Sequence, residues 1–333
     1  MDAVCHQPVR RFPLPDSDEF SDADSIHLST GGGICVLAYW VFSSTAFKAD
    51  RPPPELHTFP DHLALLERYM EDDAQGQIAA APGIAEAIVA VGLWLHRNDR
   101  VVPTAADADA DADAGPEPDF MVYLHHIALC ALYSPAAEAR NAAAALAGRV
   151  LHADPDEADR VRILEDLLEN CQYATLKACA VAWLRDELVA AHPPAAASTP
   201  TTPTTTATTG GSGLFAGPEA VERLQYLVFP DLSAFRDASP AAALDHWQQN
   251  APFLLQAANL AFFLFCRGGR YGAAVPAGMG AALELRYAEP LAQAAEGLLR
   301  AVEAGKLDVD GGAEHVVLDL AVLVDRLRSL SLS

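Results

Sequence analysis

Helix-start chemistry recurs along this chain at a nearly constant interval. A new apolar-periodic run opens near Pro118, Pro135, Pro155 and Ala174, the first three at a proline, starts that lie 17, 20 and 19 residues apart. Each interval holds a helix of about 15 residues and a turn that only reverses the chain, so successive helices are expected to be antiparallel neighbours. Two units together come to just under 40 residues, near the length of a HEAT or armadillo helix pair. No five-residue stretch alternates β-branched or aromatic residues with polar ones, which leaves strands without a foothold. The predicted fold is all-α: an α-solenoid of HEAT/armadillo-like antiparallel helix pairs carrying disordered loop insertions. A globular helical bundle is the alternative that short turns also permit.

The start signals have a physical content. Asp154-Pro155-Asp156-Glu157 reads as a capping box, with Asp154 at the N-cap, Pro155 at the first helical position and Glu157 reaching back. Ser134-Pro135, followed by Glu138, and Ser239-Pro240 repeat the theme. Pro60-Asp61 and Pro218-Glu219 place an acid where the helix dipole is positive. Behind these two prolines, Leu63, Leu66 and Tyr69 match Val221, Leu224 and Leu227 in offset, a weak internal self-similarity. In the run after Pro155, Ile163, Leu164, Leu167 and Leu168 form an apolar stripe, with Arg162, Glu165, Asp166 and Glu169 outside it.

Composition divides the chain. Residues 1–24 are polar and proline-bearing and read as a disordered arm. Helical repeats are expected over 25–192, broken by an acidic loop at 103–117 in which Asp107, Asp109, Asp111 and Asp113 alternate with alanine. Residues 193–217 form a Pro/Thr/Gly-rich flexible loop, and 218–333 continue the same solenoid.

Charge narrows the function. Lys and Arg total 22 against 45 Asp and Glu, a formal charge of −23 that repels phosphate backbones, so direct nucleic-acid binding is excluded. Lysines are confined to Lys48, Lys177 and Lys306, which leaves no polybasic membrane patch. The most apolar run, Ala251–Cys266, spans about 24 Å as a helix against roughly 30 Å of hydrocarbon, and it contains Gln256 and Asn259. It reads as a buried helix. Met1–Phe20 lacks the apolar core of a signal peptide, so the expected location is the cytoplasm, with access to the nucleus.

Motifs that carry chemistry are incomplete wherever they begin. Gly31-Gly32-Gly33 opens an apolar helix, but no strand precedes it and no P-loop lysine follows. His125 and His126 are adjacent, so on a helix they point about 100° apart and cannot share a metal. Asp308-Val309-Asp310-Gly311 lacks the later ligands of a calcium loop. The six cysteines include no C-x-x-C pair; Cys171 and Cys179, on either side of a turn, are the candidate redox pair. No catalytic residue, cofactor or metal is predicted, and the chain reads as a surface for recognition rather than an enzyme.

A resemblance emerges from Tyr123 to Leu188. It is carried by Tyr-Leu-His-His-Ile-Ala-Leu-Cys-Ala-Leu-Tyr-Ser-Pro from Tyr123, by Arg160-Val-Arg-Ile-Leu-Glu-Asp-Leu-Leu-Glu-Asn-Cys171, and by Trp183-Leu-Arg-Asp-Glu187-Leu. Gly33–Tyr39 with Thr58-Phe-Pro60, and Tyr226-Leu-Val-Phe229-Pro-Asp231, add an earlier and a later block. Together these resemble the fungal Yap-binding protein and glomulin family, HEAT-like solenoids without enzymatic activity, of which this chain looks like the C-terminal half. The resemblance implies an adaptor that supports activation of a bZIP transcription factor in the oxidative stress response. Regulation of a cullin-RING ubiquitin ligase, or a kinetochore role, is the alternative within the family; a thiol redox enzyme using Cys171 or Cys179 is the alternative outside it. Arg140, Arg160, Trp183, Arg185, Asp186 and Glu187 are the partner-binding candidates from the family-like block. Trp183 shares a stripe with Leu176, Ala180 and Leu184, so it is either a core wedge or an anchor for a partner.

Overall fold

A computed structural model describes residues 29–48, 50, 52–103, 117–193, 213–266, 270–306 and 313–332. The arm expected over 1–24, the acidic loop between 104 and 116, the tract up to 212, Gly268-Gly269 and Asp308–Gly311 lie outside the described residues.

Among the described residues, every regular element is helical. The chain opens with α1 (Thr30–Phe47), then α2 (Leu63–Met70), α3 (Ala74–Ala80) and α4 (Pro82–Arg97). The family-like block supplies α5 (Phe120–Tyr133), α6 (Ala137–Ala153), α7 (Glu157–Asn170) and α8 (Ala174–Ala191). Beyond the tract come α9 (Glu219–Val228), α10 (Pro240–Phe265), α11 (Met279–Leu283), α12 (Glu289–Glu303) and α13 (Ala313–Arg328).

These helices stack in two rows. In one, α4, α6, α8 and α10 each pack on the next; in the other, α5 lies on α6, α7 on α8, and α9 on α7. This is the layered arrangement of an α-solenoid, in which each unit contacts its neighbours and little else. α1 closes one end against α4, while α12 and α13 pack on each other and on α10 at the other. α5 and α7 are successive members of the second row, yet they make at most slight contact with each other. Among the described residues no single helix is long and apolar enough to cross a membrane.

The apolar stripe of α7 faces inward as its spacing predicts: Ile163, Leu164, Leu167 and Leu168 are all buried. Each such side chain contributes about 1.5–3 kcal/mol relative to exposure. The run Ala251–Cys266 forms the second half of α10 and its C-cap, with Phe253, Leu254, Ala257, Leu260 and Leu264 buried.

Two helix starts differ from the sequence reading. The N-cap of α7 is Asp156, whose carboxylate accepts from the Ala158 amide at 2.8 Å. Asp154 instead ends α6 and accepts from the Asp156 amide at 2.9 Å, so no box forms around Pro155. Ser134 likewise terminates α5 rather than capping α6, which starts at Ala137 without a side-chain cap. In both cases two close helix ends share one polar stretch, and the turn uses the residue that the start was expected to use. Ser239, by contrast, caps α10 and accepts from the Ala242 amide at 3.3 Å, with Pro240 at the first helical position.

The expected flexible loop ends earlier than residue 217. Packed chain resumes at Gly213: Phe215 is buried, the Leu214 amide donates to the Glu157 carboxylate, and the Arg160 guanidinium lies 5.4 Å from the Phe215 ring centre. Average composition concealed this, because the anchoring pair Leu214-Phe215 sits between glycines.

A second buried polar contact ties α2's entry to α4 and α5. His62 Nε2 donates to the Ile88 carbonyl at 3.0 Å, which leaves Nδ1 to accept from the Tyr123 hydroxyl, also at 3.0 Å. Burial pushes the His62 pKa down to about 4. Gly92 makes room for this contact: a Cβ there would stand 2.9 Å from His62 Cε1 and 2.6 Å from Leu146 Cδ2.

Candidate partner-binding site

The residues singled out from the family-like block part company once folded. Arg160 and Glu187 leave the surface and form an ion pair between α7 and α8, Nε to Oε2 at 3.2 Å, with side chains 11% and 4% exposed. His152 reaches the other Glu187 oxygen from α6, Nδ1 to Oε1 at 2.9 Å. Arg160 also donates to the Asp154 carbonyl and lies 3.6 Å from Glu157. Three helices and the incoming Leu214-Phe215 segment therefore meet on one charge cluster. Arg160 and Glu187, at its centre, are buried between α7 and α8 and act there as a structural pair, while His152 stays exposed at its edge.

Arg140 is structural as well. Its Nη1 donates to the Ser134 and Pro135 carbonyls, both at 2.9 Å, which satisfies groups orphaned at the end of α5. Trp183 is buried at 7% exposure and packs against α6 at Gly148. Arg185 and Asp186 remain exposed and pair with each other at 2.8 Å, an interaction worth about 0–1 kcal/mol. Trp183 and Asp186 share the wall of a hollow of about 370 Å³ with His96, Arg149 and His152.

The thiols diverge too. Burial raises the pKa of Cys179, the direction opposite to that of a reactive thiolate. Cys171 is half-buried at the C-cap of α7, with its sulfur 3.4 Å from the Tyr173 amide. Burial pushes Cys130 up to about 12.

Two hollows open along the seam where α5 and α7 fail to close. The first, about 430 Å³, is lined by Leu129 and Leu132 of α5, Leu167 and Asn170 of α7, and Tyr173 and Leu176 at the start of α8. Its floor is apolar. The second, about 960 Å³, lies at the N-terminal ends of the same helices, where Glu117, Asp119, Asp154, Asp156 and Asp159 gather. Asp119 caps α5 through the Val122 amide, so its carboxylate is fixed there by the start of the helix. Arg162 and Arg223 also face this hollow, but Arg162 is held by Asp159 and Arg223 by Glu165. Burial, with Asp159 beside it, raises the pKa of Asp154. Between the hollows, His125 Nε2 donates to Asp166 Oδ2 at 3.1 Å across the seam.

The sequence matches the family described as an uncharacterised protein family, YAP/Alf4/glomulin, over residues 17–326. The chain belongs to the YAP/Alf4/glomulin family. No curated protein and no solved structure matches it. The match reaches well past the 123–188 block on both sides and includes α1 to α4 and α9 to α12. On the surface of this member of the YAP/Alf4/glomulin family, Arg185 and Asp186 are what remains of the candidates from that block. Leu129, Leu132, Asn170 and the carboxylates of the seam are also accessible. Sequence reasoning passed over them because Leu129 and Leu132 look like ordinary core positions of an apolar helix; the sparse α5–α7 contact leaves them half-exposed.

Proposed function

We propose that this chain is a non-enzymatic helical-repeat adaptor that binds protein partners, and that its partner is a bZIP transcription factor whose activation it supports under oxidative stress. The match to the YAP/Alf4/glomulin family over residues 17–326, on a two-row helical array, is the observation that carries this reading. The chemistry of the surface is compatible with it. A net charge of −23 attracts a basic segment and repels an acidic one, and a bZIP factor carries such a segment. The site of action is the cytoplasm, with access to the nucleus.

Affinity purification of the tagged full chain from peroxide-treated and untreated cells tests the proposal. Recovery of a bZIP factor, enriched after peroxide, is the expected result. Recovery of a cullin-RING ligase subunit without any bZIP factor would replace it with a role in ubiquitin ligation. Peroxide consumption by the purified chain, abolished by Cys171→Ser or Cys179→Ser, would overturn the non-enzymatic reading altogether.

A further inference from the structure

The seam between α5 and α7 has the form of a binding furrow. Both hollows run along the same two helix faces: Asp159, Arg162, Asp166 and Asn170 recur at three- and four-residue spacing on α7, facing His125, Leu129 and Leu132 on α5. One end is acidic and the other apolar. With α5 at 14 residues, the furrow is about 20 Å long, the length of four turns of helix.

Each end is unsatisfied in its own way. At the acidic end five carboxylates face two arginines, each of which is already paired. Asp154 is only 3% exposed and lines the hollow, no donor reaches its Oδ2, and its carboxyl group lies against that of Asp159. Two carboxyl groups held together repel each other when both are charged, a cost that a cation arriving from outside would relieve. At the apolar end Leu129 and Leu132 are half-buried beside an exposed Tyr173, an amphipathic ring of the type enriched where proteins meet.

We infer that the α5–α7 furrow is the docking site for an amphipathic segment of a partner protein, with a Lys/Arg cluster seated among Asp119, Asp154, Asp156 and Asp159 and adjoining apolar side chains seated on Leu129, Leu132 and Leu176. The assignment rests on the adaptor reading and adds the surface and the chemistry of the bound segment. Charge complementarity selects the occupant. An acidic or purely apolar segment would leave the carboxylates of one end facing like charge or nothing. Guanidinium groups suit the acidic end because their fork of donors matches carboxylate pairs. The apolar end holds the segment after the charges have steered it in.

The probe is a 16-residue peptide with four arginines in one half and leucines at helical spacing in the other, against a control with the arginines changed to glutamate. Binding to the full chain is followed by fluorescence anisotropy at about 50 and 300 mM salt. The arginine peptide should bind, weaken at least tenfold at the higher salt, and outcompete the control, which should show no saturation. Leu132→Glu should weaken binding at least tenfold. Asn170→Arg, at an exposed position, blocks the apolar end without touching the core and should do the same. The triple change Glu117→Gln, Asp119→Asn, Asp156→Asn keeps the capping groups and should at least halve the slope of affinity against salt, with Asp154 and Asp159 retaining the remainder. Equal binding of the arginine peptide by all three variants, or equal binding of both peptides by the wild-type chain, would overturn the furrow. Affinity purification with the same variants separates the two readings. If wild type and variants recover the same partner, the adaptor stands and the furrow falls; if the peptide needs the furrow but no protein partner is recovered, the furrow stands and the adaptor falls.

Discussion

Gly148 of α6 lies so close beneath the indole of Trp183 of α8 that a Cβ on it would stand 2.6 Å from both Cδ1 and Nε1. The glycine is the reason the tryptophan can be buried at an interface between stacked helices. Gly148→Ala should destabilise the protein by about 1–3 kcal/mol through overpacking. Trp183→Ala should cost roughly 3–5 kcal/mol, and denaturant midpoints measure both. A Trp183→Ala protein of unchanged stability would mean that the indole is not a core residue.

Glu187 is buried with Arg160, and exposed His152 reaches it from α6, so removing either member of the buried pair strands the other charge. Glu187→Ala should destabilise by about 3–5 kcal/mol, whereas Arg160→Met with Glu187→Leu together should restore most of that loss. A double-mutant cycle on urea unfolding checks this. Additive effects would show that the two side chains do not interact.

His62 predicts a dependence on pH. Its folded pKa lies below its unfolded value of 6.5, at about 4, so the native state prefers the neutral ring. The stability this gives is present above about pH 6.5 and is lost as pH falls toward 4, a loss of roughly 3 kcal/mol. Thermal midpoints of wild type and His62→Gln between pH 7 and 4 should converge as the pH drops. Parallel curves would show that His62 contributes nothing to the acid sensitivity.

Phe215 is the first large side chain anchored after the Pro/Thr tract, under the Arg160 guanidinium. Phe215→Ala should cost about 3–5 kcal/mol and loosen α9 from α7, read as faster amide exchange over 219–228. Unchanged exchange there would show that α9 is held by its own contacts alone.

Thiol reactivity should follow burial. Cys35 is exposed and Cys171 half-buried, while burial raises the pKa of Cys130 and Cys179. Alkylation at pH 8, mapped by mass spectrometry, should label Cys35 before the other cysteines among the described residues and spare Cys130 until the chain unfolds. Early labelling of Cys179 would reopen the case for a redox centre on α8.

What the sequence made legible was local. Ser239 capping α10 and the inward stripe Ile163, Leu164, Leu167 and Leu168 depend on residues within one or two turns, so periodicity and cap chemistry find them. The stacking of helix pairs follows from the spacing of their starts. The union of Arg160 with Glu187 joins residues 27 positions apart, and that of Glu157 with Leu214 joins residues 57 apart across the tract; no local pattern encodes either. The arginines were conspicuous in the sequence for their charge, and the same charge is what drew them into pairs and caps. The furrow was hidden for the converse reason. Its defining property is how sparsely α5 and α7 touch, through the His125–Asp166 bridge and little else, and a one-dimensional pattern records the faces helices possess rather than how closely their neighbours approach.

The way the chain re-enters after the tract has a consequence for its integrity as a single polypeptide. α8, before the tract, packs on α10, after it; α7 packs on α9, and Glu157 holds the Leu214 amide. The halves on either side meet across the α8–α10 and α7–α9 faces, so the peptide link between residues 193 and 213 is not what keeps them together. A protease nick there should yield two fragments that co-purify, melt as one unit and reassemble when expressed separately, a natural split point at which the protein can be divided and its reassembly used as a reporter.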